Sequence, residues 1–429
     1  MISKDFAVYL PAVNDIYANG LTKQLDPSRP FPADVTLEDL MFWDKHNGLW
    51  HHTDILHSVG LHNFNDMPDN AVTRMGRTDC LILGDSAGFQ IGSGTVKGYK
   101  QLHKGMSSAA AIEAWHGAYD LRMWILTFLE THCTYAMTID MPLWATLPKK
   151  HKSPFHQCSI EELTAMTVDN LKFIDAHRLG RTKWLNVIQG LNEQTIKDWW
   201  NAVSWFDCAG YALGGTAGAT GGVRHILQTV LMMRDAGALA AGRDWIHVLG
   251  VSTTLWAILL SAIQRALRKS VNPNMRVSYD SSSPFTTAGK FEKVALAPVY
   301  SHKPKTWSFS YDQAPQSTKY ANSTQPFPYS SPLGNKLTLG HFCVRGGEWD
   351  KRSFDNVSNM LLTNHNNWIF LDAFERANQI AFNSNRVCMP VTWAKCLDFI
   401  EHVFSVTDWQ AALDKERNLL DSVAANKYA

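Results

Sequence analysis

Between about residues 78 and 285, short apolar runs alternate with longer amphipathic stretches. The runs Asp79–Leu83, Tyr135–Ile139, Trp184–Ile188, Ala209–Leu213, Trp245–Leu249 and Arg276–Tyr279 read as buried strands. The stretches Ser107–Glu130, Ser159–Ala176, Glu193–Val203, Val223–Ala236 and Thr253–Lys269 between them read as helices. Strand, helix and strand recurring every ~30–50 residues predict parallel βα units. One or two further units are expected before residue 78 and after residue 290. The predicted fold is an α/β (β/α)8 TIM barrel with insertions, and an open doubly wound sheet is the alternative.

From about Lys290 to Asn335 the chain is rich in Pro, Ser, Lys and aromatic residues, which predicts long loops with a short strand at Trp307–Tyr311. Helices follow at Phe354–Thr363, Asn367–Phe382, Val391–Val403 and Asp408–Ala425. This divides the chain into a barrel domain, residues 1–335, and a C-terminal helical subdomain packed on it, residues 336–429. No internal repeat interrupts that order.

Composition narrows the partners. With 40 basic and 39 acidic residues the formal net charge is +1, so a polyanion must be met by a local patch rather than by bulk charge. The 16 tryptophans belong mostly to core and interface, and some are available to stack on bases. Seven cysteines form no Cys-x-x-Cys pair, which predicts reduced, buried thiols and a cytoplasmic setting. The N-terminal segment MISKDFAVYLPAVND lacks the apolar core of a signal peptide. The apolar run Val251–Ile263 is too short to span a bilayer, so no membrane partner is expected.

The chemistry lies at the strand ends. In LILGDSAGFQIGSG, Leu81 to Gly94, an apolar run stops at Gly84-Asp85-Ser86-Ala87-Gly88, placing a carboxylate among glycines that let a ligand approach the backbone. Later strands end at Asp140, at Gln189-Gly190, at Gly214-Gly215, at Gly250 and at Asp280. Taken singly, an Asp after a strand is more often a helix cap or turn residue. A parallel barrel brings all such ends to one face, so the series predicts one cleft with three carboxylates and a carboxamide.

At these residues the chain resembles the tRNA-guanine transglycosylase superfamily, pentosyltransferase-type glycosyltransferases that exchange guanine for a 7-deazaguanine base. That family has Asp-Ser-Gly-Gly-Phe/Tyr-Gln where this chain has Asp85-Ser86-Ala87-Gly88-Phe89-Gln90. An Asp (Asp140), a Gln-Gly (Gln189-Gly190), a Tyr-Ala-x-Gly-Gly (Tyr211 to Gly215), a Gly-Val (Gly250-Val251) and a strand-end Asp (Asp280) follow in the family's order. MLLTNHNNWIFLDAFERANQI resembles its C-terminal helix, so the likeness spans roughly residues 80–380.

The resemblance implies that Asp280 is the nucleophile at C1′ and Asp85 the acid/base, in a double displacement with retention. It implies substrate contacts from Ser86, Phe89, Gln90, Asp140, Gln189, Gly214, Gly215 and Leu249. Among these, Asp140, Gln189 and the Gly215 backbone would read the purine edge, with Phe89 and Leu249 on either side of the base plane. Ala87, standing where the family has glycine, is expected to keep φ below zero.

Two departures shape the substrate reading. Asp280 is followed by Ser281-Ser282-Ser283-Pro284-Phe285, without the arginine of the tRNA enzymes. The family's Cys-x-Cys-x-x-Cys zinc motif is not intact, although His341, Cys343 and His365 leave a structural zinc ion as an expectation. No organic cofactor is implied. These departures suit the divergent DpdA branch, which inserts 7-deazaguanine into DNA in bacteria and bacteriophages. The expected partners are therefore DNA and a free base such as preQ0, in the cytoplasm, or the host's cytoplasm for a phage enzyme.

Nucleic-acid contacts are expected from Lys97, Lys100, Lys150 and Lys152, with Lys104, Lys149, Lys303 and Lys305 in the same clusters. A homodimer is among the assemblies this reading admits. The alternatives are exchange in tRNA, a non-catalytic nucleic-acid-binding subunit, and an unrelated metal-dependent barrel hydrolase.

Overall fold

The computed structural model describes residues 5–75, 77, 79–343, 354–382 and 386–425. Met1–Lys4, the start of the N-terminal segment, lie outside the described residues. Eight parallel strands form one sheet: β1 (Val8–Pro11), β2 (Asp54–Ser58), β3 (Leu81–Asp85), β4 (Tyr135–Met137), β5 (Lys183–Ile188), β6 (Gly210–Leu213), β7 (Trp245–Val248) and β8 (Arg276–Ser281). Each strand pairs with the next from β2 to β8, and β8 pairs back onto β1. A parallel bridge between Ala12 and Leu56, with the Val13 N–H donating to the Leu56 carbonyl at 2.9 Å, joins β1 to β2. The chain is thus a (β/α)8 barrel with extra helices.

Alternation along the strands decides what fills the barrel. Leu10, Leu56, Leu83, Met137, Leu185, Val187, Ala212 and Trp245 form one buried cluster inside it. At the N-terminal mouth the Arg276 guanidinium stacks 4.6 Å from the Trp245 ring centroid and pairs with Asp54 at 3.0 Å. The opposite mouth collects the strand-end residues. Ser58 stands level with Asp85 across β2 and β3, and Leu10 stands level with Asp280 across β1 and β8.

Several expected boundaries move, each for a local reason. Among the described residues, both additional barrel strands precede residue 78 and none follows residue 290. Instead β9 (Lys293–Leu296) and β10 (Ser310–Gln313) form a separate antiparallel ribbon. The strand expected at Trp307–Tyr311 starts later because Pro304 opens a 3-10 turn through Trp307. The stretch Ser107–Glu130 is two helices, Ser108–His116 and Tyr119–His132, parted at Gly117 and Ala118. The stretch Asp408–Ala425 is likewise two, Trp409–Lys415 and Arg417–Ala425.

The opposite happens between Thr363 and Asn367, where the sequence predicts two separate helices. One helix, Asn356–Phe382, passes straight through. Two of its buried asparagines are paired: Asn364 Oδ1 accepts from the Trp50 indole at 2.9 Å, and Asn366 bonds both the Lys293 carbonyl and the Ala295 N–H of β9. Farther along, Phe374 packs on Tyr9 and Tyr279, at centroid distances of 4.9 and 5.6 Å. The helix therefore backs β8, which carries Asp280, and its neighbour β1. A larger hydrophobic cluster, separate from the one inside the barrel, includes residues from Ala7 to Val423, so the C-terminal helices share the packing layer around the strands. Among the described residues, no helix is long and apolar enough to cross a membrane.

Candidate functional site

Asp85 is the last residue of β3. Burial and the negative charge of Asp280 push its carboxyl above the usual range, while the Ser58 hydroxyl and the Ala87 N–H act against that rise. Gly84 makes the close packing behind it possible, because a Cβ there would lie 2.4 Å from Leu129 Cδ2. The Ser86 hydroxyl donates to the Thr138 carbonyl at 3.0 Å, tying the β3 end to the segment after β4.

Ala87 departs from expectation. Its φ is +69°, in the left-handed region, where it precedes the short helix Gly88–Ser93. A non-glycine residue there costs roughly 1–2 kcal/mol. Room for its methyl comes from Gly60, whose added Cβ would stand 2.9 Å from Ala87 Cβ. The sharp turn lays Gly88 against Asp140: a Cβ on Gly88 would be 3.2 Å from Asp140 Oδ1. The strained turn thus brings the β3 end and Asp140 together.

Asp140 is buried, and burial, with a contribution from the charge of Asp85, pushes its carboxyl up to about 7. Gln189 Nε2 donates to Asp140 Oδ2, while Gln189 Oε1 accepts the Leu143 N–H at 3.2 Å. Those two bonds fix which end of the amide faces the carboxylate. A Cβ on Gly214 would lie 3.3 Å from Leu249 Cδ1 and 3.9 Å from Gln189 Cδ, so these three residues share one wall. Gly215 adopts φ +56°, and a Cβ on it would stand 3.0 Å from the Gly190 carbonyl.

Asp280 sits in β8 with two donors on one oxygen. The Gly250 N–H donates to Oδ1 at 2.9 Å, and His247 Nε2 lies 3.2 Å from the same atom. His247 was not among the expected site residues. Its role follows from its neighbours: the Trp245 indole N–H, which can only donate, points at Ser278 Oγ at 2.6 Å, and Ser278 Oγ meets His247 Nδ1 at 2.8 Å. The Ser278 hydroxyl is then free to donate to Nδ1, leaving the ring proton on Nε2 to face Asp280. In sequence His247 is one polar residue inside an apolar run. Only the register of β7 on β8, which sets His247 level with Ser278, reveals it.

The remaining expected residues separate into groups. Phe89 is 61% exposed and packs on Trp144 at the rim, with centroids 5.4 Å apart. Gln90 Oε1 is buried against Gly60 without a hydrogen-bond partner. Lys150 and Lys152 line the same rim cavity as Phe89 and Trp144. Lys100 is exposed, whereas Lys97 is held by the Leu61 carbonyl at 2.7 Å and Asp15 at 3.3 Å.

The three expected zinc ligands have other partners. His341 Nδ1 accepts the Thr338 N–H, the Cys343 thiol donates to the Pro315 carbonyl, and His365 Nδ1 meets the Ser331 hydroxyl. Among the described residues no group of three or more His, Cys, Asp or Glu is placed to hold a metal ion. All seven cysteines are free thiols. No protein-family model matches the sequence, and neither does any curated protein.

Proposed function

We propose that this protein is a DNA-guanine transglycosylase that exchanges guanine in DNA for a free 7-deazaguanine base such as preQ0. The observation that carries the reading is three neighbouring carboxylates at one barrel mouth in three different environments. Asp280 receives two N–H donors on one oxygen, Asp85 is biased toward its acid form, and Asp140 is backed by an oriented amide.

In this reading Asp280 Oδ2, which carries neither donor, attacks C1′ of the target nucleotide as the C1′–N9 bond breaks. Asp85 delivers its proton to the departing guanine. The incoming base then returns a proton to Asp85, and its N9 attacks C1′ and releases Asp280. Two inversions give net retention. Asp140 accepts from the N1–H and 2-amino group of the base. The second Gln189 Nε2 proton and the Gly215 backbone serve its 6-oxo group, and Leu249 lies against the ring. Adenine would leave these groups unpaired, which is the source of discrimination. A target in duplex DNA must first be flipped out.

DNA is favoured over tRNA by the segment after the nucleophile. Ser281 and Ser283 join hydroxyls at 2.6 Å, Ser252 reaches Ser283 at 2.9 Å, and no arginine stands there to engage RNA. Incubating the protein with labelled preQ0 and either guanine-containing DNA or tRNA tests the reading. Label is expected in DNA. Label in tRNA alone would overturn the choice of substrate, and label in neither would overturn the activity.

A further inference from the structure

The two chain segments that supply Asp85 and Asp140 also build a second feature at the rim. Phe89 stands four residues after Asp85, and Trp144 stands four residues after Asp140. Their rings pack at 5.4 Å with a tilt of 33°. Gly92 allows this packing, since a Cβ there would lie 2.4 Å from Pro142 Cγ and 3.0 Å from Trp144 Cζ2. The buried Ser153 hydroxyl donates to the Gly92 carbonyl at 2.6 Å and locks the two segments together. The aromatic pair is therefore rigid where it is anchored, yet Phe89 stays 61% exposed.

Charge surrounds that exposed ring. Lys104, Lys149, Lys150, His151 and Lys152 line a cavity of about 150 Å3 beside it, and the Lys150 ammonium lies 5.0 Å above the Trp144 ring. Among the described residues none of these four lysines has an ion pair, and neither Gly88–Ser108 nor Met141–Ser159 contains an acidic residue. In a chain of net charge +1, this is a concentrated and uncompensated positive site. An aromatic face beside unpaired ammonium groups matches one ligand chemistry, a base attached to a phosphodiester.

We propose that the Phe89–Trp144 platform and its lysines hold the nucleotide flanking the target guanine in the same DNA strand. The flanking base stacks on the free face of Phe89, and its phosphates lie among Lys104, Lys149, Lys150 and Lys152. This deepens the transglycosylase reading and rests on it for the identity of the strand. The platform would keep the strand splayed at the cleft while the target base occupies the Asp140–Gln189 wall.

The test is a binding cycle with single-stranded DNA oligonucleotides, read by fluorescence anisotropy. Wild type and Phe89→Leu are each compared on a strand with a normal base, or an abasic residue, beside the guanine. The exposed ring makes Phe89→Leu compatible with folding, and a thermal melt checks it. Stacking worth ~1–3 kcal/mol predicts a loss of roughly tenfold from either change alone and no further loss from both. The pair Lys150→Gln and Lys152→Gln should reduce the salt dependence of log K by about 1.4. Additive losses, an unchanged salt slope, or coupling seen only with RNA would overturn the proposal. Coupling on DNA without base exchange would keep the platform and reject the transglycosylase reading.

Discussion

Replacing Asp140 by asparagine separates stability from function in a way worked directly from the site. Burial holds the Asp140 carboxyl at about 7, against an ordinary 3.8. The unfolded chain ionises this group near its ordinary value, so between the two the folded protein binds a proton that the unfolded protein lacks. Stability is therefore lost as pH rises through that window, at about 1.4 kcal/mol per pH unit. From pH 5 to 7 the loss is about 2–3 kcal/mol, and over the whole window, from below pH 4 to above pH 7, it is on the order of 4 kcal/mol.

The substituted amide cannot ionise, yet its carbonyl can still accept from Gln189. Asp140→Asn should thus be more stable than wild type at pH 8 and should lack this part of the pH slope. Urea denaturation followed by tryptophan fluorescence at pH 5, 6, 7 and 8 measures both. Because the Asp85 charge contributes to the Asp140 shift, the same comparison in an Asp85→Asn background isolates the part that belongs to Asp140 burial. Parallel pH curves would refute the reasoning, because they would mean that the carboxylate carries no desolvation penalty. Base exchange should fall about a hundredfold or more in the same variant, since the new side chain turns an amide donor toward the donors of guanine.

His247→Ala removes one of the two donors on Asp280 and should lower kcat about tenfold to a hundredfold, with KM for the base little changed. His247→Gln, which restores an N–H, should recover part of the loss in steady-state kinetics. Ala87→Val places a β-branched residue at φ +69° against Gly60 and should cost about 3 kcal/mol or more in chemical denaturation. Ala87→Gly relieves the strain but forfeits a buried methyl and adds freedom to the unfolded chain, so it should fall within about 1 kcal/mol of wild type.

Much of the barrel was legible because strands buried on both faces read as apolar runs. β1 and β2 were not placed individually: β1 ends in Pro11, and β2 carries Asp54 and His57. Their polar residues are satisfied by partners distant in sequence, Arg276 for Asp54 and the Val13 carbonyl for His57. The continuity of the helix through Asn364 and Asn366 is hidden for the same reason, since a neighbouring strand and an indole pair with their buried amides. At the site, Asp85, Asp140, Gln189 and Asp280 could be read from their positions at strand ends. His247, Ser278 and Trp245 lie in strands, where only cross-strand register shows that they form a chain of hydrogen bonds ending on Asp280. The positive φ of Ala87 is not legible in sequence, because nothing local foretells that Gly60 opens space for its methyl.

The proposed chemistry turns on Asp280 as the nucleophile at C1′, and trapping that bond is its most direct test. Wild-type protein incubated with a guanine-containing DNA strand, then denatured and digested, should yield a peptide–nucleotide adduct on Asp280 by mass spectrometry. Free guanine should be released in equal amount, and Asp280→Asn should give neither. An adduct on another residue, or base exchange by Asp280→Asn at the wild-type rate, would contradict it.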